Sequence, residues 1–189
     1  MKRRSLAGAL GLLLGAPSFV RAQANTPVPA PAPVPPTAGL TLIEPGRMGS
    51  EALFAAKLIG LDDRPTQATL PKGRALVVNF WARWCGPCKV EIPELIALRK
   101  RVPEVEVLGI AIETDAAAVR DFARAYEMDY PLLLARDGGL ELMRALGNAK
   151  AGLPFTLVLD RRGAPVAMRL GLASREQLDA AVQLALRRG

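Results

Sequence analysis

Histidine does not occur in the 189-residue chain. Its absence removes every imidazole base, every serine-histidine triad and every histidine-ligated metal site. Cysteine occurs only twice, at Cys85 and Cys88, too few for a disulfide framework or for a complete four-ligand zinc site. Aromatic residues make up 5% of the chain, and no basic run is interleaved with them, so there is no nucleic-acid face to argue for. Strong charge of one sign is also missing. The formal +7 includes Lys2, Arg3, Arg4 and Arg21, all within the first 24 positions; beyond them 21 basic residues face 18 acidic ones, a net of +3. That is an ordinary surface. No apolar run reaches the roughly 20 residues that span a bilayer.

What the chain does have begins with "MKRRSLAGALGLLLGAPSFVRAQA", a basic opening, an apolar stretch from Leu6 to Ala16, and the small residues Ala22 and Ala24. This layout predicts a secretory signal over residues 1–24 with cleavage after Ala24. Left uncleaved, it would tether the domain to the inner membrane. The expected location is therefore periplasmic, either soluble or membrane-tethered. "NTPVPAPAPVPPTAG", residues 25–39, alternates prolines that remove backbone donors and favour an extended conformation, so it predicts a stiff linker. The folded domain then covers residues 40–189.

Within that domain "ALVVNFWA" (75–82) is too uniformly apolar for a half-exposed strand and is expected in the middle of a sheet. A helix over 85–101 and a second buried strand, "VEVLGIAI" (105–112), complete a parallel crossover. Helices are predicted over 115–126 and 138–146, the latter ended by Gly147. "FTLVLD" (155–160) and "APVAMRL" (164–170) form a hairpin. Ser174 and Gln177 form a capping box that opens the last helix. An early strand pair is placed at 54–59 and near Gln67.

Both cysteines lie in "WARWCGPCKVEIP" (81–93). A disulfide between them closes a loop too short to add much stability. A metal clip would need ligands from a second chain. Reversible thiol–disulfide chemistry fits the surroundings: Cys85 stands where a strand ends and a helix begins, so unpaired N–H groups and the helix dipole favour its thiolate. Cys88, one turn in, is placed to resolve. Pro87 sits in the first turn, where a missing N–H costs little.

The run "VVNFWARWCGPCKVEIP" together with "GLPFTLVLD" (152–160) resembles the thioredoxin superfamily, and the signal, linker and inserted helix are similar to its exported TlpA/ResA/CcmG-like branch. The resemblance implies an α/β, three-layer thioredoxin-like fold, with a central mixed sheet and helices on both faces. It implies that the Leu153–Pro154 bond is cis and lies beside the cysteines, with Gly152 and Leu153 binding an extended substrate segment. It also associates Gly86-Pro87 with a reducing couple, on the order of −270 mV. Trp84, directly before the thiol, is expected on the docking surface with Gly86 and Pro87; Trp81, Phe80 and Phe155 are expected in the core. One departure bears on mechanism: Asn79 stands where cytosolic relatives carry a buried aspartate, so the proton acceptor for Cys88 is open. Glu113 is the candidate, with a solvated surface glutamate as the alternative. Lys89 and Glu91 are expected on a solvated face.

The chemistry implied is attack by Cys85 on a partner disulfide, followed by displacement by Cys88, with no cofactor or metal. Expected partners are disulfide-containing exported proteins, such as cytochrome c or oxidase precursors, and an inner-membrane thiol electron donor. Three rivals are weighed: an oxidant of folding proteins, which the reducing-type Gly86-Pro87 argues against; a copper(I)-binding protein that uses the same two thiolates; and a thioredoxin-like scaffold without turnover, which the two intact thiols argue against.

Overall fold

The computed structural model describes residues 35–189; the expected signal and the linker up to residue 34 lie outside the described residues. Strand β4 (Ala75–Trp81), apolar except at Asn79, is buried at every position. Such a strand needs cover on both faces and partners on both edges, and it has them. In order along the chain come β1 (Thr41–Leu42), α1 (Glu51–Ala55), β2 (Leu58–Gly60), β3 (Pro65–Thr66) and β4. They are followed by α2 (Gly86–Arg101), β5 (Val105–Ala111), α3 (Ala116–Ala125), β6 (Leu132–Leu134) and α4 (Gly139–Ala145). The chain ends with β7 (Phe155–Leu159), β8 (Pro165–Leu170) and α5 (Arg175–Arg188).

The eight strands form one mixed sheet ordered β1-β8-β7-β4-β5-β6-β2-β3. β4, β5 and β6 are parallel, whereas β7 runs antiparallel to β4 with Phe80 opposite Phe155. Alternate residues along β4 enter different cores. Ala75, Val77 and Trp81 pack with α2, α3 and α5, while Leu76, Val78 and Phe80 pack with Leu53 of α1 and Met143 of α4. The three layers expected from the sequence are present.

Ser174 accepts from the Gln177 amide and the Gln177 side chain accepts from the Ser174 N–H, which completes the predicted capping box. The β7–β8 hairpin is built as expected: Asp160 accepts from the amides of Arg162 and Ala164, and Gly163 takes a φ of 82° that favours glycine.

Two expectations are corrected. Residues 51–55 form a helix rather than the start of a strand, because "EALFA" is made largely of good helix formers and Leu53 is buried between sheet and helix. The strand pair survives as β2 and β3. The end of the linker is not extended either. Residues 36–39 form a turn, with the Ala38 and Gly39 carbonyls accepting from Gln177 and Arg169, so that part of the spacer joins the domain. β1 and β6, two and three residues long, were not expected. Among the described residues, no helix is long and apolar enough to cross a membrane.

Candidate active site

β4 ends at Trp81 and α2 starts at Gly86, with Cys85 as the N-cap between them. The Cys85 sulfur accepts the Cys88 amide at 3.2 Å, satisfying one of the orphan donors of the first turn. Cys85 and Cys88 are joined by a disulfide, with Cα atoms 5.3 Å apart. Cys85 is 5% exposed and Cys88 1%, so both sulfurs are buried and even Cys85 is better covered than a helix start suggests. Trp84 projects into solvent at 72% exposure, and Gly86 and Pro87 are exposed beside it. Trp81, Phe80 and Phe155 are core.

The strand register brings the distant segment to the same place. With Phe155 opposite Phe80, Pro154 stands level with Trp81, at the end of the sheet where α2 begins. The Leu153–Pro154 bond is cis. The Pro154 carbonyl accepts from the Gly171 amide at 2.8 Å, and Gly152 is exposed while Leu153 is half-buried between the two cores.

Glu113 lies at the end of β5, as expected, but its carboxylate is already engaged. One oxygen accepts the Arg83 amide at 2.5 Å and the other the Arg83 guanidinium at 2.6 Å. The pair fixes the Ala82–Trp84 turn that presents Cys85.

The buried acid on the same helix as Cys88 is Glu91, and here the expectation of a solvated face is corrected. Glu91 is fully buried. Its Oε2 accepts from Asn79 Nδ2 at 2.8 Å, and its Oε1 from the Ala173 amide at 3.0 Å and the Thr156 hydroxyl at 3.2 Å. Asn79 also donates to Thr156, so β4, α2, β7 and the start of α5 meet at one carboxyl. Burial pushes its pKa up from 4.5 to about 7; the bonds from Ala173, Asn79 and Thr156 and the charge of Arg169 oppose this without cancelling it. Cys88 and Glu91, three apart on α2, share a helix face. The sequence did carry a signal. Cys88, Ile92, Leu95 and Leu98 make the buried stripe of α2, and Glu91 falls on it. A polar Asn79 in an otherwise apolar strand also required a polar partner. Lys89 is half-buried, its ammonium 6.0 Å from the Phe122 ring centre. Among the described residues no group of three or more acids and cysteines is placed to hold a metal.

The arrangement joins a disulfide at a helix N-terminus, a buried carboxyl titrating near neutrality, and an exposed apolar ring beside the sulfurs. The chain as a whole is similar to known proteins. Thiol-disulfide oxidoreductase ResA of Bacillus cereus is 30% identical over 115 residues, 59% of this chain and 64% of that protein. Thiol:disulfide interchange protein HelX of Rhodobacter capsulatus is 33% identical over 56% of this chain and 57% of its own length. The chain thus spans less than two thirds of these relatives. A thioredoxin-related protein from Neisseria meningitidis superposes with a TM-score of 0.60 at 30% identity, covering 68% of this chain and 98% of that structure. The Redoxin pattern runs from residue 47 to 182, through every element from α1 to the middle of α5, and the chain belongs to the Redoxin family.

Proposed function

We propose that the protein is an exported thiol–disulfide reductase that acts on disulfides of partner proteins during cytochrome c or oxidase assembly. The observation that carries this reading is the Cys85–Cys88 pair on α2 with the buried Glu91 on the same helix face. The names of the ResA and HelX relatives support thiol–disulfide chemistry. In the reduced protein the Cys85 thiolate, favoured by the Cys88 amide and the helix dipole, attacks one sulfur of the partner disulfide. A mixed disulfide forms and one partner thiolate leaves. Glu91 then takes the proton of Cys88, and the Cys88 thiolate attacks the Cys85 sulfur, releasing the second partner thiolate. Two electrons have passed to the partner, whose two thiolates take up protons from solvent; the Cys88 proton stays on Glu91 until it is lost to solvent, and the protein is left as the disulfide. A membrane-borne dithiol returns it to the reduced state with two electrons.

Trp84, Gly86, Pro87 and the 152–154 turn form the docking surface in this scheme, with the Leu153 backbone pairing with an extended partner segment. Residues 1–24 act as the export signal, or as the tether if uncleaved, and residues 25–34 as the spacer. A mature N-terminus at Asn25 in exported protein is the corresponding check. The Cys88→Ser protein, which stops at the mixed disulfide, tests the function: an exported partner bearing a cysteine pair should remain attached to Cys85 and be released by dithiothreitol. If the protein instead captures no partner, fails to reduce insulin and binds copper(I) stoichiometrically when reduced, it is a copper(I) carrier and the reductase reading is wrong.

A further inference from the structure

Asn148 is 1% exposed and belongs to none of the groups described above. It follows Gly147, whose φ of 90° ends the last turn after α4. The Asn148 amide donates to the Met143 carbonyl and its carbonyl accepts from Ala151, both at 2.9 Å. Ala151 is held at a φ of 48°, in the left-handed region that alanine adopts only when its surroundings impose it. The side chain then closes on one residue from both sides: Nδ2 donates to the Gly152 carbonyl at 2.8 Å, and Oδ1 accepts from the Gly152 amide at 3.3 Å. Nδ2 also lies 3.8 Å from the Met143 sulfur.

The Gly152 carbonyl and the Leu153 N–H belong to the same peptide unit. In a trans peptide they point in opposite directions, so holding the carbonyl inward on Asn148 turns the Leu153 N–H outward. That N–H has no hydrogen-bond partner among the described residues. Nothing lies within 4 Å of the point where a Cβ on Gly152 would stand, so the peptide is open to approach there. Neither the cysteine motif nor the Gly-Leu-Pro turn identifies Asn148, which lies outside both.

We propose that Asn148 is a positioning residue for substrate docking, which clamps the Gly152 peptide and thereby aims the Leu153 amide at a main-chain carbonyl of the partner segment. This rests on the reading that the 152–154 turn docks the partner. The substrate class it selects is an extended segment with a free backbone carbonyl beside the attacked cysteine. Small disulfides without a peptide backbone are indifferent to it.

Two peptides with the same disulfide test this, one all-amide and one in which the carbonyl beside the attacked cysteine is replaced by a methylene. With the unsubstituted protein, the methylene peptide should show a KM about fivefold higher, the size of one lost hydrogen bond. Asn148→Ala should raise KM for the all-amide peptide by a similar factor, leave kcat within about twofold, and abolish the difference between the peptides. Its equilibrium with glutathione and its rate with 5,5′-dithiobis(2-nitrobenzoate) should not change. Asn148→Asp, which keeps the acceptor for the Gly152 amide but loses the donor to its carbonyl, should behave like the alanine variant. Should both variants fail to fold, hydrogen exchange in the unsubstituted sequence decides. The Gly152 amide should be protected in the free protein. The Leu153 amide should exchange freely there, and more than about tenfold more slowly in the Cys88→Ser mixed disulfide. Failure of the unsubstituted protein to distinguish the peptides would overturn the docking reading and this inference with it. A folded Asn148→Ala protein that still distinguishes them, or an unprotected Gly152 amide, would overturn the clamp alone.

Discussion

Glu91 keeps a carboxyl where water does not reach it, and lifting its pKa from 4.5 to about 7 makes ionisation cost on the order of 3 kcal/mol. Because the folded state binds this proton more tightly than the unfolded chain, its contribution to stability is fully present below pH 4.5 and is lost as the pH rises through 7. The oxidised protein should therefore lose up to about 3 kcal/mol between these limits relative to Glu91→Gln. Urea unfolding of both proteins at pH 4.5 and 8 measures the difference. A pH-independent difference would mean that Glu91 is not held protonated. The same substitution should remove an ionisation near pH 7 from the rate of mixed-disulfide resolution, leaving only the ionisation of the thiol itself, whose ordinary value is about 8.5.

Glu113 offers the contrast. Its carboxylate faces Arg83 from within a nearly closed site, so Glu113→Ala should destabilise the protein by about 1–3 kcal/mol through an unpaired guanidinium and amide. The pH profile of resolution should be unchanged. A profile that loses its ionisation near 7 in Glu113→Ala and keeps it in Glu91→Gln would exchange the two roles. Residue identity alone could not separate these acids. Both are glutamates beside the core, and only the packing of α2 on β4 decides which one is left without solvent or an ion-pair partner.

At the scale of elements, the first turn of α2 sets the chemistry. It contains no acidic side chain, and the Cys88 amide points at the Cys85 sulfur. Reduced protein treated with iodoacetamide at mildly acidic pH should be alkylated at Cys85 first, since the dipole and this amide both favour its thiolate. Peptide mapping that finds Cys88 labelled first, or both equally, would reverse attack and resolution.

Elements of this length were legible from the sequence. β4 and β5 announce themselves as apolar runs broken only by Asn79 and Glu106, α2 begins at the motif, and α5 carries its capping box. The short elements were not. "LLL" at 132–134 has no period and becomes a strand only because β5 and β2 flank it. β1 is two residues long and is defined by its pairing with β8. The helix at 51–55 has only five residues, too few to show a helical period, and the Ser50 hydroxyl donates to the Gly163 carbonyl across the fold instead of capping it.

For the molecule as a whole, the sheet order makes the site. Placing β7 antiparallel beside β4 brings the turn before β7 to the end of the sheet where α2 begins, and the loop before α5 closes on Glu91 through the Ala173 amide. The thioredoxin-like arrangement of cysteines and Pro154 could be read from the motifs, since each lies next to a strand of recognisable type. The contribution of residues 171–173 and of Asn148 could not, because loops with no motif acquire a role only when the register brings them to the site.

On the proposed reading, this site gives electrons rather than takes them. Equilibration of the purified domain with glutathione buffers, followed by quantification of the Cys85–Cys88 disulfide, measures this directly. A reductase built on Gly86-Pro87 should have a potential well below that of the strong oxidants, near the roughly −270 mV of thioredoxin; a value near −120 mV would contradict it.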